Sequence, residues 1–268
     1  MRQLDVRIEA ALGTHDEDCR WDLIGGILDE CPDDVQEESA KLLAGQLDRG
    51  RTLGADILGR LAGIDPTKRA DIEEALLAAL AVEKAAASMA SIVAALGHVG
   101  DPNTLGVIFP FSLHPTAEVR LAVAFAVATV SPQPLEPEAR MALIRLSQDC
   151  DAEVRDWATF GLGTLSEADG PDVRAALLAR AEDANHEARA EALFGLAVRR
   201  DPRAVPHLIR ALQSPLVGGL EVDAAAAAGD PRLLPALWAL QQSGRADEIR
   251  LRRAIDRCSG RDEPAFLA

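Results

Sequence analysis

The feature that most limits what this chain can become is a repeat. Three segments align without gaps: Ala117-Glu118-Val119-Arg120, Ala152-Glu153-Val154-Arg155 and His186-Glu187-Ala188-Arg189, each opening an apolar stretch. Eight residues after each arginine stands a small residue, Ala128, Gly163 or Ala197. Gly97 holds that place after Met89, and Gly59 holds it after Arg51. With weaker starts at Arg20 and Gly218, the steps run from 29 to 38 residues, the length of one helical hairpin. Start signals for the intervening helices agree: Asp33 precedes 35–47, Asp65-Pro66 precedes 69–82, and Asp101-Pro102 precedes 104–111. Pro137, Pro171, Pro202 and Pro231 open the later ones, since a first helical turn leaves its N–H groups unpaired anyway. About eight hairpins fill residues 1–268, leaving no room for a separate catalytic domain, and no window alternates with the period of a strand.

Within a repeat, counting from Arg155, positions −1, +3, +7 and +10 (Val154, Ala158, Leu162, Leu165) fall on one helix face and form the expected core stripe. Val119, Val123, Val127 and Val130 occupy the same places one repeat earlier. Position +5 points roughly 155° from the middle of that stripe and should face solvent. Phe125, Phe160 and Phe194 hold it in three successive repeats, half of the six phenylalanines in the chain. An exposed apolar strip is costly unless something covers it, so the strip is a candidate contact site. Trp157 is expected to plug the gap between stacked repeats, with Glu191 facing it. Asp156, Glu191, Arg199, Arg200, Asp201 and Arg203 are the expected polar rim. The recurring Arg120, Arg155 and Arg189 are expected to tie turns together and not to bind a ligand.

Composition narrows the partner. The net charge is −15, with 28 basic against 43 acidic residues, whereas nucleic-acid binding draws on Lys and Arg to displace counterions. No nucleic acid is therefore expected. Residues 1–50 carry thirteen acidic and five basic side chains, fitting a soluble acidic N-terminal cap or a surface that steers toward a basic partner. Residues 230–268 are the expected C-terminal cap. Cys19, Cys31, Cys150 and Cys258 show no metal-ligand spacing, the five histidines fall mainly at turns, and tyrosine is absent. No cofactor, metal or catalytic constellation is expected. The start of the chain lacks a secretory apolar core, and the longest uncharged stretches, 85–100 and 102–117, are too short or too proline-broken to span a membrane. A cytoplasmic location and no membrane partner are the expectation.

The junctions 96–102 (Leu-Gly-His-Val-Gly-Asp-Pro), 200–206 (Arg-Asp-Pro-Arg-Ala-Val-Pro) and 228–235 (Ala-Gly-Asp-Pro-Arg-Leu-Leu-Pro) resemble the helix–turn–helix junction of HEAT repeats, in particular the short repeats of phycobilisome lyases. The stretches 154–163, 191–197 and 201–203 are similar to a bacterial HEAT-repeat subgroup. The resemblance spans almost the whole chain and implies an all-α, right-handed solenoid whose second helices line a concave wall. On that wall the three phenylalanines would form one ladder. The implied function is a non-enzymatic scaffold or adaptor, an inhibitor or immunity-type protein being one form, that binds a protein partner with basic character admitted by the charge. The alternative is a phycobilisome-lyase-like protein that acts on or binds a tetrapyrrole. Fold alone does not choose between them.

Overall fold

The computed structural model describes residues 2–30 and 34–261, so Cys31, Asp33 and the end of the C-terminal cap region lie outside the described residues. Among the described residues there are helices and no strands, as the absence of period-two alternation requires. The chain divides into two compact units, residues 1–131 and 132–268, and the single array expected over 1–268 is accordingly described as two stacks.

The first unit contains α1 (Gln3–Gly13), α2 (Glu17–Glu30), α3 (Val35–Leu43), α4 (Asp48–Ile64), α5 (Arg69–Leu80), α6 (Ala86–Val99), α7 (Leu105–Ile108) and α8 (Ala117–Val130). The second contains α9 (Pro137–Leu146), α10 (Ala152–Gly163), α11 (Pro171–Arg180), α12 (His186–Val198), α13 (Ala204–Gln213), α14 (Gly219–Ala228), α15 (Leu234–Ser243) and α16 (Glu248–Cys258). Each even-numbered helix is the second of a hairpin. These helices stack on one another, α4 on α6 and α6 on α8 in the first unit, and α10 through α12 and α14 to α16 in the second.

The turns follow their side chains. Asp65, Asp101 and Asp230 each accept a hydrogen bond from the backbone N–H two residues on, across an Asp-Pro step that opens a short 3-10 turn. Asp151 caps α10 by accepting from Glu153 N and Val154 N, and Asn185 caps α12 through Ala188 N. The helix expected over 104–111 is broken instead: α7 is a single turn between 3-10 segments at Pro102–Thr104 and Phe109–Leu113, because Pro110 supplies no N–H and its ring obstructs the preceding turn.

Val154, Ala158 and Leu162 are fully buried, as are Val119, Val123 and Val127. Leu165 is 37% exposed and does not belong to the stripe, since α10 ends at Gly163 and position +10 lies past the helix. The small residue at +8 marks the closest approach between stacked helices. A Cβ on Gly59 would lie 2.8 Å from Ala95 Cα, one on Gly97 would lie 3.1 Å from Ala126 Cα, and one on Gly163 would lie 2.6 Å from the Glu191 carbonyl oxygen. Ala95, Ala126 and Gly195 all stand at +6 of the next repeat, so stacking sets +8 of one second helix against +6 of the next.

Candidate protein-interaction surface

In the second unit, the face of α10 opposite its core stripe carries Glu153, Asp156, Trp157, Phe160 and Thr164, spaced three and four residues apart. Beside it α12 presents Glu187, Glu191, Phe194 and the exposed Val198. Trp157 meets Phe160 edge-on, ring centroids 5.7 Å apart with an interplanar angle of 80°. Both rings are half-buried, as is Phe194. The expected plug therefore sits partly open on the wall. Glu191 reaches across from α12 and accepts a hydrogen bond from the Thr164 hydroxyl at the end of α10.

This wall is acidic and self-repelling. Burial, reinforced by the charges of Glu187, Glu153 and Asp183, pushes the Asp156 carboxyl up to about 6. Glu191 is also raised, by burial first and then by Asp156, while its Thr164 hydrogen bond opposes the shift. Aromatic rings beside carboxylates raised by burial and by neighbouring acids suit a cationic visitor, which would gain ion pairing and ring contact together.

Phe125 belongs to the first unit and is also half-buried. Position +5 is not fully solvated because the preceding hairpin reaches up to it: the Phe125 ring covers Gly97 and lies 4.9 Å from the His98 ring. Further along this unit's second helices, Trp21 lies under two guanidinium groups, Arg20 at 5.5 Å and Arg60 at 5.8 Å. Arg20 Nη1 is also 2.8 Å from Asp56 Oδ2. Burial pushes the Asp56 carboxyl up to about 6 against the opposing pull of Arg20 and Ser91. Asp56 is the +5 residue counted from Arg51, the place that phenylalanine takes in later repeats, so the register that picked out the rings could also have found it.

Three expected rim residues, Arg199, Asp201 and Arg203, are engaged elsewhere. Arg199 is half-buried and spends its five N–H groups on five carbonyl oxygens: Ala168, Gly163, Gly195, Leu162 and Ser166. It thereby satisfies the open C-terminal end of α10 and stitches it to α12. Asp201 is 4% exposed and accepts from Arg203 N at 3.0 Å, Arg203 Nε at 2.9 Å, Arg203 Nη2 at 2.6 Å and Arg174 at 3.5 Å. The Arg203 guanidinium holds its carboxyl at about 2. The structure brings Asp156, Trp157, Phe160, Glu191 and Phe194 together on one wall, and places Arg199 and Asp201 in the turn network behind it.

The repeated arginines form the tie that their spacing suggests. Arg155 donates through Nη1 to the carbonyls of Asp149 and Cys150, and through Nε and Nη2 to both oxygens of Asp183 in the next turn, at 2.8 and 2.9 Å. Arg51 repeats the arrangement with the Gly45 and Gln46 carbonyls and both oxygens of Glu83, at 2.7 and 3.0 Å. Arg120 holds the carbonyls of His114 and Pro115. No group of three or more His, Cys, Asp or Glu among the described residues could hold a metal ion. Cys258 is buried, which pushes its thiol up to about 11. No helix among the described residues is long and apolar enough to cross a membrane.

No known protein family matches the sequence, and no curated protein matches it. Similarity emerges in three dimensions. YibA of Escherichia coli superimposes with a TM-score of 0.75 at 23% identity, over 97% of this chain and 93% of YibA. An engineered protein follows at a TM-score of 0.59 and 18% identity, over 96% of this chain and 77% of its own. An archaeal HEAT-like repeats protein from Thermococcus onnurineus NA1 aligns over 97% of this chain and 98% of its own, at 14% identity and a TM-score of 0.45. At these identities the likeness is one of fold: a chain of stacked helical hairpins similar to YibA and the engineered protein.

Proposed function

We propose that this protein is a protein-binding scaffold whose second unit receives a basic segment of its partner on the wall formed by α10 and α12. The observation that carries this reading is the pairing of three half-open rings, Trp157, Phe160 and Phe194, with two carboxyls, Asp156 and Glu191, raised by burial and by other acids. Hot spots in interfaces are enriched in aromatic side chains that exclude water from neighbouring polar contacts, and a cation seated here would relieve the repulsion between the acids. The net charge of −15 favours encounter with a basic partner and makes association weaken as salt rises. Phe125, in the other unit, is a separate contact candidate that packs mainly against its own preceding hairpin. Helical-repeat stacks suit this work, because their second helices offer a continuous face without a reaction centre.

The test is capture from host lysate with wild type beside a folded Phe160→Ser/Phe194→Ser variant and an Asp156→Asn/Glu191→Gln variant, at low and moderate salt. One protein, identified by mass spectrometry, should be retained by wild type and lost from both variants. Its binding should strengthen as pH rises through 6, where Asp156 ionises. Undiminished retention by both variants would refute the reading. A co-purifying pigment with visible absorption would favour the tetrapyrrole alternative instead.

A further inference from the structure

The arginine tie has one member without its carboxylate. In the other fully described ties the acid stands two residues before the N-cap of the next second helix: Glu83 before Ala85 clamps Arg51, and Asp183 before Asn185 clamps Arg155. For Arg189 the next second helix is α14, its N-cap is Gly218, and the residue two before it is Leu216, 68% exposed. Arg189 still donates through Nη1 to the Asp183 carbonyl, as its counterparts do to theirs. The described residues offer no carboxylate to its Nε and Nη2, the edge that Arg155 and Arg51 present to theirs.

A cavity of about 280 Å³ opens at this point, lined by Arg189, Arg210, His186, His207, Glu182 and Glu221 among others. Glu221 is 2% exposed: it accepts from Gly218 N at 3.0 Å, and its Oε1 lies 3.0 Å from His186 Nε2 without the alignment of a hydrogen bond. Glu182 is an exposed side chain that bridges Arg210 and His207. Exposed ion pairs of this kind contribute little, so Glu182 yields readily to a better-placed anion. What is left is a guanidinium fork with its bidentate edge unused, a second arginine and two imidazoles around a space of small-ligand size.

We infer that this cavity is a carboxylate-binding site, in which an acid supplied from outside takes the place that Glu83 and Asp183 take in the other ties. The carboxylate lies in plane with Arg189 and accepts from Nε and Nη2, while Arg210 and the two imidazoles close over it. Its source is either a free small organic acid or the side chain of an Asp or Glu on a partner. The inference does not depend on the α10–α12 wall, which lies on other side chains.

The test uses the full chain and the imidazole NMR resonances of His186 and His207, assigned with His→Gln variants. Succinate and a blocked Gly-Glu-Gly peptide are titrated against sodium chloride of equal ionic strength. A saturable shift of both rings with a carboxylate and not with chloride is expected. Arg189→Gln should weaken it at least about tenfold, the scale of one charge-assisted hydrogen bond. Leu216→Asp should abolish it, by supplying the missing acid within the chain, and should raise the melting temperature. Tighter binding of the peptide identifies a partner side chain as the source, and equal or tighter binding of succinate identifies a free acid. No shift with either probe would overturn the inference, as would binding undiminished in Arg189→Gln or in folded Leu216→Asp.

Discussion

Replacing Gly163 by alanine tests the stacking rule at its tightest point. The added Cβ would lie 2.6 Å from the Glu191 carbonyl oxygen and 3.5 Å from Gly195 Cα. The first distance falls about 0.8 Å short of ordinary van der Waals contact, and the obstructing atom is backbone, so no rotamer change relieves it. The second helices must separate locally or α12 must shift along its axis. Overpacking of this kind costs roughly 1–3 kcal/mol. Against it stands the helix-propensity gain of alanine over glycine, about 1 kcal/mol in a helix interior and less at Gly163, the last residue of α10. The expected net effect is a loss of about 1–2 kcal/mol, a drop of several degrees in the melting of the second unit. Gly25→Ala is the matched control: Gly25 lies within α2 and a Cβ there meets nothing within 4 Å, so that change should stabilise by about 0.5–1 kcal/mol. Urea unfolding followed by far-ultraviolet circular dichroism and tryptophan fluorescence reads both variants. A Gly163→Ala protein as stable as wild type would refute the claim that +8 against +6 sets the repeat spacing.

Other consequences separate the ties, the wall and the turns. Arg155→Met should cost about 2–3 kcal/mol, because it removes the bidentate partner of the nearly buried Asp183, which keeps only Arg180 Nη1 at 3.0 Å and Asn185 N at 2.9 Å, whereas Arg189→Met should cost about 1 kcal/mol; equal losses in denaturant melts would contradict the unfilled tie. Asp156→Asn should stabilise the protein at pH 7.5 and leave it unchanged near pH 4. The folded carboxyl titrates near 6 against 3.8 for a free one, so the stability it contributes is present at low pH and is lost as pH rises through 6. Asp201→Asn should behave in the opposite way, destabilising at neutral pH with the difference fading as pH falls toward 2. Melting curves across pH check both signs. Arg200 holds a left-handed φ of +50° just after α12, so Arg200→Gly should gain about 0.5–1 kcal/mol, and a loss would show that its side chain contributes more than the backbone strain costs.

Much of the architecture was legible because it is made of local events repeated. An aspartate before a proline accepts from an N–H two residues on whatever surrounds it, so 65–66, 101–102 and 230–231 announced turns correctly. Likewise −1, +3 and +7 fall on one face of any helix, and Val154, Ala158 and Leu162 are buried. Where the reading missed, a local rule had been carried past its range: +10 was counted along a helix that ends at Gly163, and 104–111 ignored Pro110.

The candidate wall was half legible. Helical register alone sets Phe160 and Phe194 apart from the core, and the same register sets Trp157 and Asp156 beside Phe160. Register says nothing about what a neighbouring hairpin lays against a residue. That decided that the rings are half-buried instead of open, that burial and neighbouring acids raise both Asp156 and Glu191, and that Arg199 is consumed by five carbonyls. The sequence by itself determined the hairpins, their length and the faces they bury, because those depend on hydrogen bonds and periodicities closed within a few residues. Only the tertiary structure decided which charges find partners, because a carboxylate some thirty residues away reaches an arginine only once helices have stacked. The unclamped edge of Arg189 belongs to that second class: Leu216 is an ordinary residue in the chain, and its place matters only once Glu83 and Asp183 are seen to clamp Arg51 and Arg155 from the equivalent position.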